Sequence, residues 1–212
     1  MTAPVLIAFP KGRLGDELVP RLAGTPLALD AAALKSRVLR IPTATPGVAA
    51  LLLKGSDLPR YVAAGVASLG IVGSDTLDEL DMDLLELADL GFGACRLCLC
   101  APAGTTLEDL KALPHLRLAT KFPRATEAWL AREGLTAELV PLSSSVELAP
   151  LLGLADAIVD LVQTGTTLKA HGLVEAAVLG RSSARLIAAR GATLSEPGRL
   201  MLLAETLIRA LK

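Results

Sequence analysis

The sequence predicts an α/β fold, because buried strand patterns alternate with helix patterns along the whole chain. Apolar runs such as "VLIAF", "LGIVG" and "AIVDLV" each end in a tight turn that opens a helix pattern. Hydrophobic residues make up 52% of the 212 residues, so the chain can bury a core without a disulfide or a structural metal. This alternation favours largely parallel sheets.

Strands are expected where short apolar runs are bounded by turn residues. In chain order these runs are "PVLIAF", two extended pieces of "KSRVLRIPTATPGVAALLLKG" broken by Pro42 and Pro46, "ASLGIVG", "ACRLCLCAP", "LRLAT", "AELVPL", "ADAIVDLV" and "SARLIAAR".

Helices are expected where capping residues precede an apolar pattern of helical period. In order they begin at about Asp16, at Ser56 or Asp57 with Pro59 in the first turn, at "SDTLDEL", at Thr105 or Thr106 in "TLEDLKAL", at Thr126 in a helix that Gly134 ends, at "SSSVELAPLLG", at "TTLKAHG" and at "EPGRLMLLAETLIRALK".

A weak internal repeat suggests two similar lobes. "LGIVGSDTL" and "AIVDLVQTGTTL" are both a buried strand that ends in glycine, hydroxyl and acidic residues before a helix. Ligands of open α/β sheets bind at the carboxyl ends of the strands. The repeat therefore predicts a ligand between the carboxyl ends of two sheets.

The turn at Thr164, Gly165, Thr166 and Thr167 follows a strand that carries Asp160. Backbone N–H groups and hydroxyls at such a turn can hold a phosphate, and the carboxylate can accept hydrogen bonds from two ribose hydroxyls. The alternative is an ordinary helix cap, with Asp160 satisfied by backbone donors. The turn matches neither the Walker loop nor the dinucleotide fingerprint.

Lys11 and Arg13 flank Gly12 where the first strand meets a helix. Cations there oppose the helix dipole, which favours an anion bound between them and the helix. A surface turn neutralised by Asp16 and Glu17 is the alternative.

Lys121 and Arg124 also follow a strand. Here a solvated pair on a loop is the favoured interpretation.

The formal net charge of −1, without a basic block, argues against nucleic-acid binding. No apolar run is long enough to span a bilayer, and "MTAPVLIAFPKGRL" lacks the features of a signal peptide, so a cytoplasmic protein is expected. Cys95, Cys98 and Cys100 are expected to be small buried hydrophobic residues in a reducing compartment.

Together these segments resemble the short form of ATP phosphoribosyltransferase, the first enzyme of histidine biosynthesis. The resemblance covers "IAFPKGRL", "SDLPRYVAAGVASLGIVGSD", "CRL", "LATKFPRAT", "SSVELAPLLGLADAIVDLVQTGTTL" and "SARLIAAR". Its most specific part runs from Glu147 through Gly153 and Asp160 to Thr167 and Leu168.

The resemblance implies two α/β lobes of the type II periplasmic-binding-protein architecture, with a cleft between them. The first lobe would comprise residues 1–93 plus 181–212 and the second 94–180, with crossings near Ala94–Pro102 and Arg181–Arg190. The implied reaction transfers phosphoribosyl from phosphoribosyl pyrophosphate to N1 of ATP and releases pyrophosphate, with Mg²⁺ required. The metal ligands stay unassigned.

The resemblance also implies roles for individual residues. The phosphoribosyl pyrophosphate site would comprise Glu147, Asp160, Thr164, Gly165, Thr166 and Thr167. ATP would be bound by Lys11, Gly12, Arg13, Asp75 and Arg96, and Lys11 and Lys54 would act in catalysis by facing the phosphates.

Four residues depart from the family pattern. Lys54 stands where arginine is usual, and lysine cannot give bidentate contacts. Ser144 stands where glycine is common, and His171 and Ala189 where asparagine is common.

The short form lacks the regulatory domain of the long form, and the chain ends at Lys212. The resemblance therefore implies a homodimer of catalytic chains and a hetero-octamer with a regulatory subunit that resembles histidyl-tRNA synthetase. Three alternatives remain open: a solute-binding module of the same architecture, the effector lobe of a transcription regulator, and a catalytically weak paralogue.

Overall fold

The computed structural model describes residues 4–34, 38–191 and 197–212. Its strands are β1 (Val5–Pro10), β2 (Arg40–Pro42), β3 (Val48–Leu53), β4 (Leu69–Gly73), β5 (Leu84–Asp89), β6 (Cys95–Pro102), β7 (Arg117–Thr120), β8 (Glu138–Pro141), β9 (Ala157–Val162), β10 (Leu173–Ser182) and β11 (Ala184–Ala189). Its helices are α1 (Arg13–Arg21), α2 (Ala31–Leu34), α3 (Leu58–Ala63), α4 (Ser74–Leu80), α5 (Leu107–Lys111), α6 (Pro123–Glu133), α7 (Leu148–Leu151), α8 (Thr166–Ala170) and α9 (Pro197–Leu211). The first three residues of the predicted extended piece that starts at Lys35, and the predicted helix start at Glu196, lie outside the described residues. The rest of that piece contains β2.

The chain forms two compact units, which we call the first unit (Met1–Gly93 with Ser183–Lys212) and the second unit (Ala94–Ser182). The sheet of the first unit has the order β2-β3-β1-β4-β11-β5. Its centre is parallel, since β1 pairs in parallel with both β3 and β4. Strands β2 and β11 run antiparallel to their neighbours.

The sheet of the second unit has the order β10-β6-β9-β7-β8. Strand β7 pairs in parallel with β8 and β9, whereas β6 runs antiparallel to β9 and β10. The prediction of largely parallel sheets is therefore wrong, and both sheets are mixed. The chain enters the second unit through β6 and leaves it through β10, so these neighbours run in opposite directions.

Apolar clusters cover both faces of each sheet. In the first unit one cluster packs α1 and α9 against β1, and the other packs α3 against the opposite face. In the second unit α6 packs on one face, while α7 and α8 pack on the face that carries Cys98 and Cys100. All three cysteines are buried free thiols, which confirms the prediction of their burial.

The helix starts differ from the predictions at two places. Helix α1 begins at Arg13, three residues before the expected Asp16. Thr126 is not a cap: α6 begins at Pro123, and the buried Thr126 hydroxyl donates to the carbonyl of Phe122 at 2.7 Å. Proline at the first helical position explains the earlier start, because its fixed φ suits that position. By contrast, Thr106, one of the two predicted caps, does cap α5, and it does so in a reciprocal capping box with Asp109.

Strands β5 and β10 were not predicted. Both lie at a sheet edge, and β10 pairs with β6 through two irregularities in register. Edge strands are partly exposed and bulges break the two-residue alternation, so their sequences lack a clear strand pattern.

None of the helices within the described parts of the chain combines the length and the hydropathy that a membrane span requires.

The amino ends of β7 and β9 are joined by an ion pair between Arg117 and Asp156. The Asp156 carboxylate accepts from the Arg117 backbone N–H at 2.8 Å and from its Nη2 at 2.9 Å. In return, the Asp156 N–H donates to the Arg117 carbonyl at 2.9 Å. These contacts fix the register of the parallel pair. The hydrogen bond from the Arg117 side chain lowers the pKa of Asp156 below its ordinary value, despite partial desolvation.

We expect the stability that Asp156 contributes to depend on pH. Its folded pKa is depressed, so the contribution is full above the unfolded pKa of about 3.8 and is lost as the pH falls through the folded value. The midpoint of urea denaturation should therefore be lower for Asp156→Asn than for the wild type at pH 7, and the difference should shrink towards pH 3.

The matched control is Glu108→Gln, since Glu108 forms an exposed ion pair with Lys111 within α5. Its effect should be small at both pH values. An Asp156→Asn difference that stays constant between pH 7 and pH 3 would contradict this account.

Candidate functional site

Three predicted site residues of the first unit follow the carboxyl ends of adjacent parallel strands. Pro10 pairs with Leu53, so Lys11 and Lys54 directly follow paired residues, and the Lys11 N–H donates to the Leu53 carbonyl at 2.7 Å. Asp75 lies in the first turn of α4, directly after β4 on the other side of β1. Both lysines are exposed and Asp75 is half-buried. The structure thus brings the three residues to one edge of the sheet.

The turn between β1 and α1 depends on Gly12. Its φ of 73° and ψ of −156° lie in a region that is essentially restricted to glycine. The Arg13 Nη1 donates to Glu17 at 3.4 Å and to the Gly93 carbonyl at 3.3 Å, so part of its charge is neutralised within its own helix. A cavity of about 370 Å³ opens beside this turn, lined by residues that include Lys11 and Asp16.

In the second unit, the Thr164–Thr167 turn follows β9 and opens α8. Gly165 has φ 76° and ψ 5°, a left-handed conformation that glycine adopts without strain. The Thr164 and Thr166 hydroxyls lie 3.0 Å apart and are exposed. Because α8 has only five residues, its dipole is short, and the groups that the turn presents are the first-turn N–H groups and the threonine hydroxyls.

Asp160 forms an ion pair with Lys121. The lysine Nζ lies 3.1 Å from Asp160 Oδ2 and 3.4 Å from Oδ1, and the Leu161 N–H donates to Oδ1 at 2.8 Å. The prediction that Lys121 belongs to a solvated loop pair is therefore wrong. Lys121 follows Thr120, which is paired with Val159, so the register of β7 and β9 places it beside Asp160.

Arg96 makes two parallel hydrogen bonds to Glu175 across β6 and β10. The distances are 2.8 Å from Nη2 to Oε1 and 3.1 Å from Nε to Oε2. The Arg96 guanidinium holds the pKa of Glu175 below its ordinary value. A Cβ at Gly165 would lie 4.0 Å from Glu175 Oε1, so this pair lies next to the turn. Two of the donors of Arg96 are thus engaged within the protein.

The Cys98 thiol also donates to Glu175 Oε2, at 3.3 Å. Burial, together with the Glu175 carboxylate, raises the pKa of Cys98 to about 12. Burial likewise raises the pKa of Cys100. Neither thiol is set up as a nucleophile.

Glu147 lies at the start of α7 and is half-buried. Two residues earlier, Ser145 has a φ of 51°, a left-handed conformation that is uncommon outside glycine. The family's usual glycine would stand one position before it, at Ser144.

Four charged side chains alternate in sign across the sheet of the second unit: Glu175, Arg96, Asp160 and Lys121. Asp160 is paired in register with Cys98, two residues from Arg96 on the same face of β6. The site therefore contains two carboxylates, each with a cationic partner. The sequence analysis missed Glu175 because β10 was not predicted, and a strand assignment there would have revealed it.

Together, the fold and this turn define a two-unit α/β protein with a threonine- and glycine-containing turn that follows a strand carrying a carboxylate. In architecture it is similar to the periplasmic aliphatic sulphonate binding protein from Escherichia coli, with a TM-score of 0.61, 16% identity, and coverage of 99% of this chain and 73% of that chain. This likeness confirms the predicted α/β fold of the type II periplasmic-binding-protein architecture.

The family model for ATP phosphoribosyltransferase matches residues 54–212. The ATP phosphoribosyltransferase of Moorella thermoacetica is 43% identical over 99% of this chain and 94% of its own length. That of Deinococcus deserti is 47% identical, covering 95% and 90%. The ATP phosphoribosyl transferase (HisG:HisZ) complex from Thermotoga maritima matches with a TM-score of 0.81 at 26% identity, covering 98% of both chains.

The chain belongs to the ATP phosphoribosyltransferase family, pentosyltransferases that catalyse the first step of histidine biosynthesis. The family resemblance and the enzyme class predicted from the sequence are thereby confirmed. Enzymes of this family generally need a metal ion.

The close approach of α1 to the end of β1, beside the Lys11–Arg13 turn, depends on Gly15. This glycine is buried in α1, and a Cβ there would clash with the carbonyl oxygen of Pro10. We expect Gly15→Ala to force α1 away from β1 and to cost about 1–3 kcal/mol of unfolding free energy. Chemical denaturation followed by circular dichroism measures this.

The control is Gly198→Ala in α9, where a Cβ meets open space. Alanine favours helix over glycine, so this variant should be neutral or slightly stabilised. Equal unfolding midpoints for the two variants would contradict the proposed clash at Gly15.

Proposed function

We propose that this chain transfers the phosphoribosyl group of phosphoribosyl pyrophosphate to N1 of the adenine of ATP and releases pyrophosphate. The observation that carries the proposal is the Thr164–Thr167 turn beside Asp160, in a chain of this family. We further propose that the two units are its functional lobes, the second holding the phosphoribosyl donor.

The second unit would bind the donor through three kinds of group. The N–H groups of Gly165, Thr166 and Thr167 and the threonine hydroxyls would hold the 5′-phosphate. The Asp160 carboxylate, 19% exposed, would accept hydrogen bonds from ribose hydroxyls. Glu147 at the start of α7 would bind or border the same sugar.

The first unit would bind ATP at the carboxyl edge of its parallel strands. Lys11, Gly12 and Arg13 form one turn at this edge and Asp75 another. We assign ATP binding to these residues and to Arg96 of the second unit, whose third guanidinium nitrogen, Nη1, would bind a phosphate while Nε and Nη2 bond Glu175.

The proposed reaction is a displacement at the anomeric carbon. The lone pair of adenine N1 forms the new C–N bond, and the C–O bond to pyrophosphate breaks, so the pyrophosphate leaves with the electron pair. Lys11 and Lys54, next to each other at the strand ends, would stabilise the charge that develops on the leaving group. Holding both substrates in this geometry supplies the remainder of the catalytic effect.

We propose that Mg²⁺ is the metal ion required. Among residues 4–34, 38–191 and 197–212, no group of three or more histidine, cysteine, aspartate or glutamate side chains could hold an ion. Mg²⁺ binds few protein carboxylates and prefers phosphate oxygens and water, which fits an ion carried in by the substrate phosphates. It would neutralise phosphate charge there.

We also propose a cytoplasmic enzyme that forms a homodimer and assembles with a regulatory subunit resembling histidyl-tRNA synthetase, as a hetero-octamer. The support is the match over 98% of both chains to a protein solved as a HisG:HisZ complex. Neither a nucleic acid nor a membrane is a proposed partner, in keeping with the net charge of −1 and its even distribution.

The proposed reaction can be followed by near-ultraviolet absorbance of the N1-substituted adenine. Purified chain is mixed with ATP, phosphoribosyl pyrophosphate and Mg²⁺, with inorganic pyrophosphatase present. We expect product from the wild type, none from Asp160→Ala, and a roughly tenfold higher KM for phosphoribosyl pyrophosphate in Thr164→Val, because a hydrogen bond to a charged group is lost.

Thr136→Val, at an exposed threonine before β8, is the matched control and should behave like the wild type. A second run with histidine tests regulation: activity that histidine does not suppress would place inhibition in the partner subunit. No product from the wild type, with both substrates still binding, would point to a partner required for turnover or to a site impaired at Lys54. No binding of the two substrates would refute the transferase and leave a solute-binding protein. Normal donor affinity in Asp160→Ala would refute the site.

Lys54→Arg tests the departure from the family pattern. A guanidinium can bind pyrophosphate through two parallel hydrogen bonds, whereas an ammonium is a point charge. We expect kcat to rise about two- to tenfold at unchanged KM for the donor, because charge stabilisation of the leaving group improves.

Lys111→Arg in α5 is the control, since Lys111 pairs with Glu108 on the surface of the second unit. An unchanged kcat in Lys54→Arg would show that Lys54 does not contact the leaving group.

A further inference from the structure

Lys121 contacts the carboxylate to which the ribose is assigned. Its Nζ lies 3.1 Å from Asp160 Oδ2 and 3.4 Å from Oδ1, so one ammonium faces both oxygens. The side chains are 34% and 19% exposed, which makes this a partly buried pair. Charge-assisted contacts of this kind fix orientation more strongly than fully solvated pairs do.

A buried hydroxyl network holds the backbone of Lys121 in place. The Thr120 hydroxyl donates to the Val159 carbonyl at 2.9 Å and accepts from the Phe122 N–H at 2.9 Å. The Thr126 hydroxyl lies 3.5 Å from that of Thr120 and donates to the Phe122 carbonyl at 2.7 Å. Both threonines are fully buried. Thr120, before Lys121, is thus tied to β9 one residue before Asp160, and Phe122, after Lys121, is tied to Thr120.

The charge on Asp160 makes this partner necessary. A carboxylate that accepts ribose hydroxyls lies close to a polyanionic donor, which it repels. Glu175, the other carboxylate near the turn, is neutralised by Arg96 through two hydrogen bonds. Lys121 provides the equivalent neutralisation for Asp160.

We propose that Lys121 is a positioning residue for the phosphoribosyl donor. It orients the Asp160 carboxylate and cancels its charge, so that the ribose hydroxyls and the phosphates can bind at once. This inference rests on the proposed function, because it takes Asp160 to be the ribose ligand. Lys121 acts through Asp160 and forms no bond with the reacting atoms.

The test compares Lys121→Met, Lys121→Arg and the control Lys111→Met in the full chain. Lys111 is a suitable control because its side chain is 31% exposed and pairs with Glu108 at 3.0 Å, away from the assigned site. Phosphoribosyl pyrophosphate is titrated by calorimetry, and kcat and KM are measured by absorbance.

For Lys121→Met we expect the Kd and KM for phosphoribosyl pyrophosphate to rise about tenfold, with a smaller effect on kcat and on the KM for ATP. Lys121→Arg should restore the Kd to within about threefold of the wild type, since it keeps the charge. Lys111→Met should match the wild type. If Lys121→Met does not fold, Lys121→Gln replaces it with the same expectation.

A double-mutant cycle separates this role from a purely structural one. Lys121→Met should weaken donor binding much less in an Asp160→Asn background than in the wild type, because the partner charge is already gone. Equal losses of donor affinity in both backgrounds, or a Lys121→Met affinity equal to that of the wild type, would overturn the inference. The proposed transferase function would still stand if the wild type is active. A wild type that does not bind the donor would overturn both.

Discussion

The register between the parallel strands β7 and β9 is the constraint on which the proposed phosphoribosyl site depends. Arg117 and Asp156 fix the pair at its amino end, and the buried Thr120 hydroxyl fixes it at the carboxyl end by donating to Val159. A slip of one residue would move Asp160 to the opposite face of the sheet. These strands have only four and six residues, so the side-chain bonds at both ends add to the few backbone bonds that fix this register.

In the first unit, too, the pairing of parallel strands places the assigned residues side by side, with fewer side-chain bonds between the strands. Parallel strands β1, β3 and β4 end at one edge, so the residues that follow them meet there regardless of their separation in sequence. Helix α1 must lie close to β1 for this turn to form, and only a residue without a Cβ fits at Gly15. Parallel pairing therefore brings together Lys11, Lys54 and Asp75 in the first unit, and Asp160 and Lys121 in the second.

The sequence was sufficient where the signal is local. The Thr164–Thr167 turn, the preceding strand with Asp160 and a cap at Thr105 or Thr106 were recognised because strand, turn and cap lie within a few residues. The Lys121–Asp160 and Arg96–Glu175 ion pairs were not recognised from the sequence. Their partners are 39 and 79 residues apart and meet only through strand register. The prediction that Thr126 caps its helix failed because the Thr126 hydroxyl bonds the Phe122 carbonyl inside the fold, which composition does not reveal.

The protonated state of the buried thiols has a consequence for oxidative damage. Peroxide attacks the thiolate, and with a pKa of about 12 the Cys98 thiol supplies very little of it at neutral pH. Formation of a sulfenic acid at Cys98 would therefore be slow, and the bond from its sulfur to Glu175 would persist under oxidants that modify reactive cysteines. Methionine oxidation should precede it, at a side chain such as Met201, which is 63% exposed on α9. Oxidative stress would thus alter the surface of the first unit while the Arg96–Glu175 pair in the second stays intact.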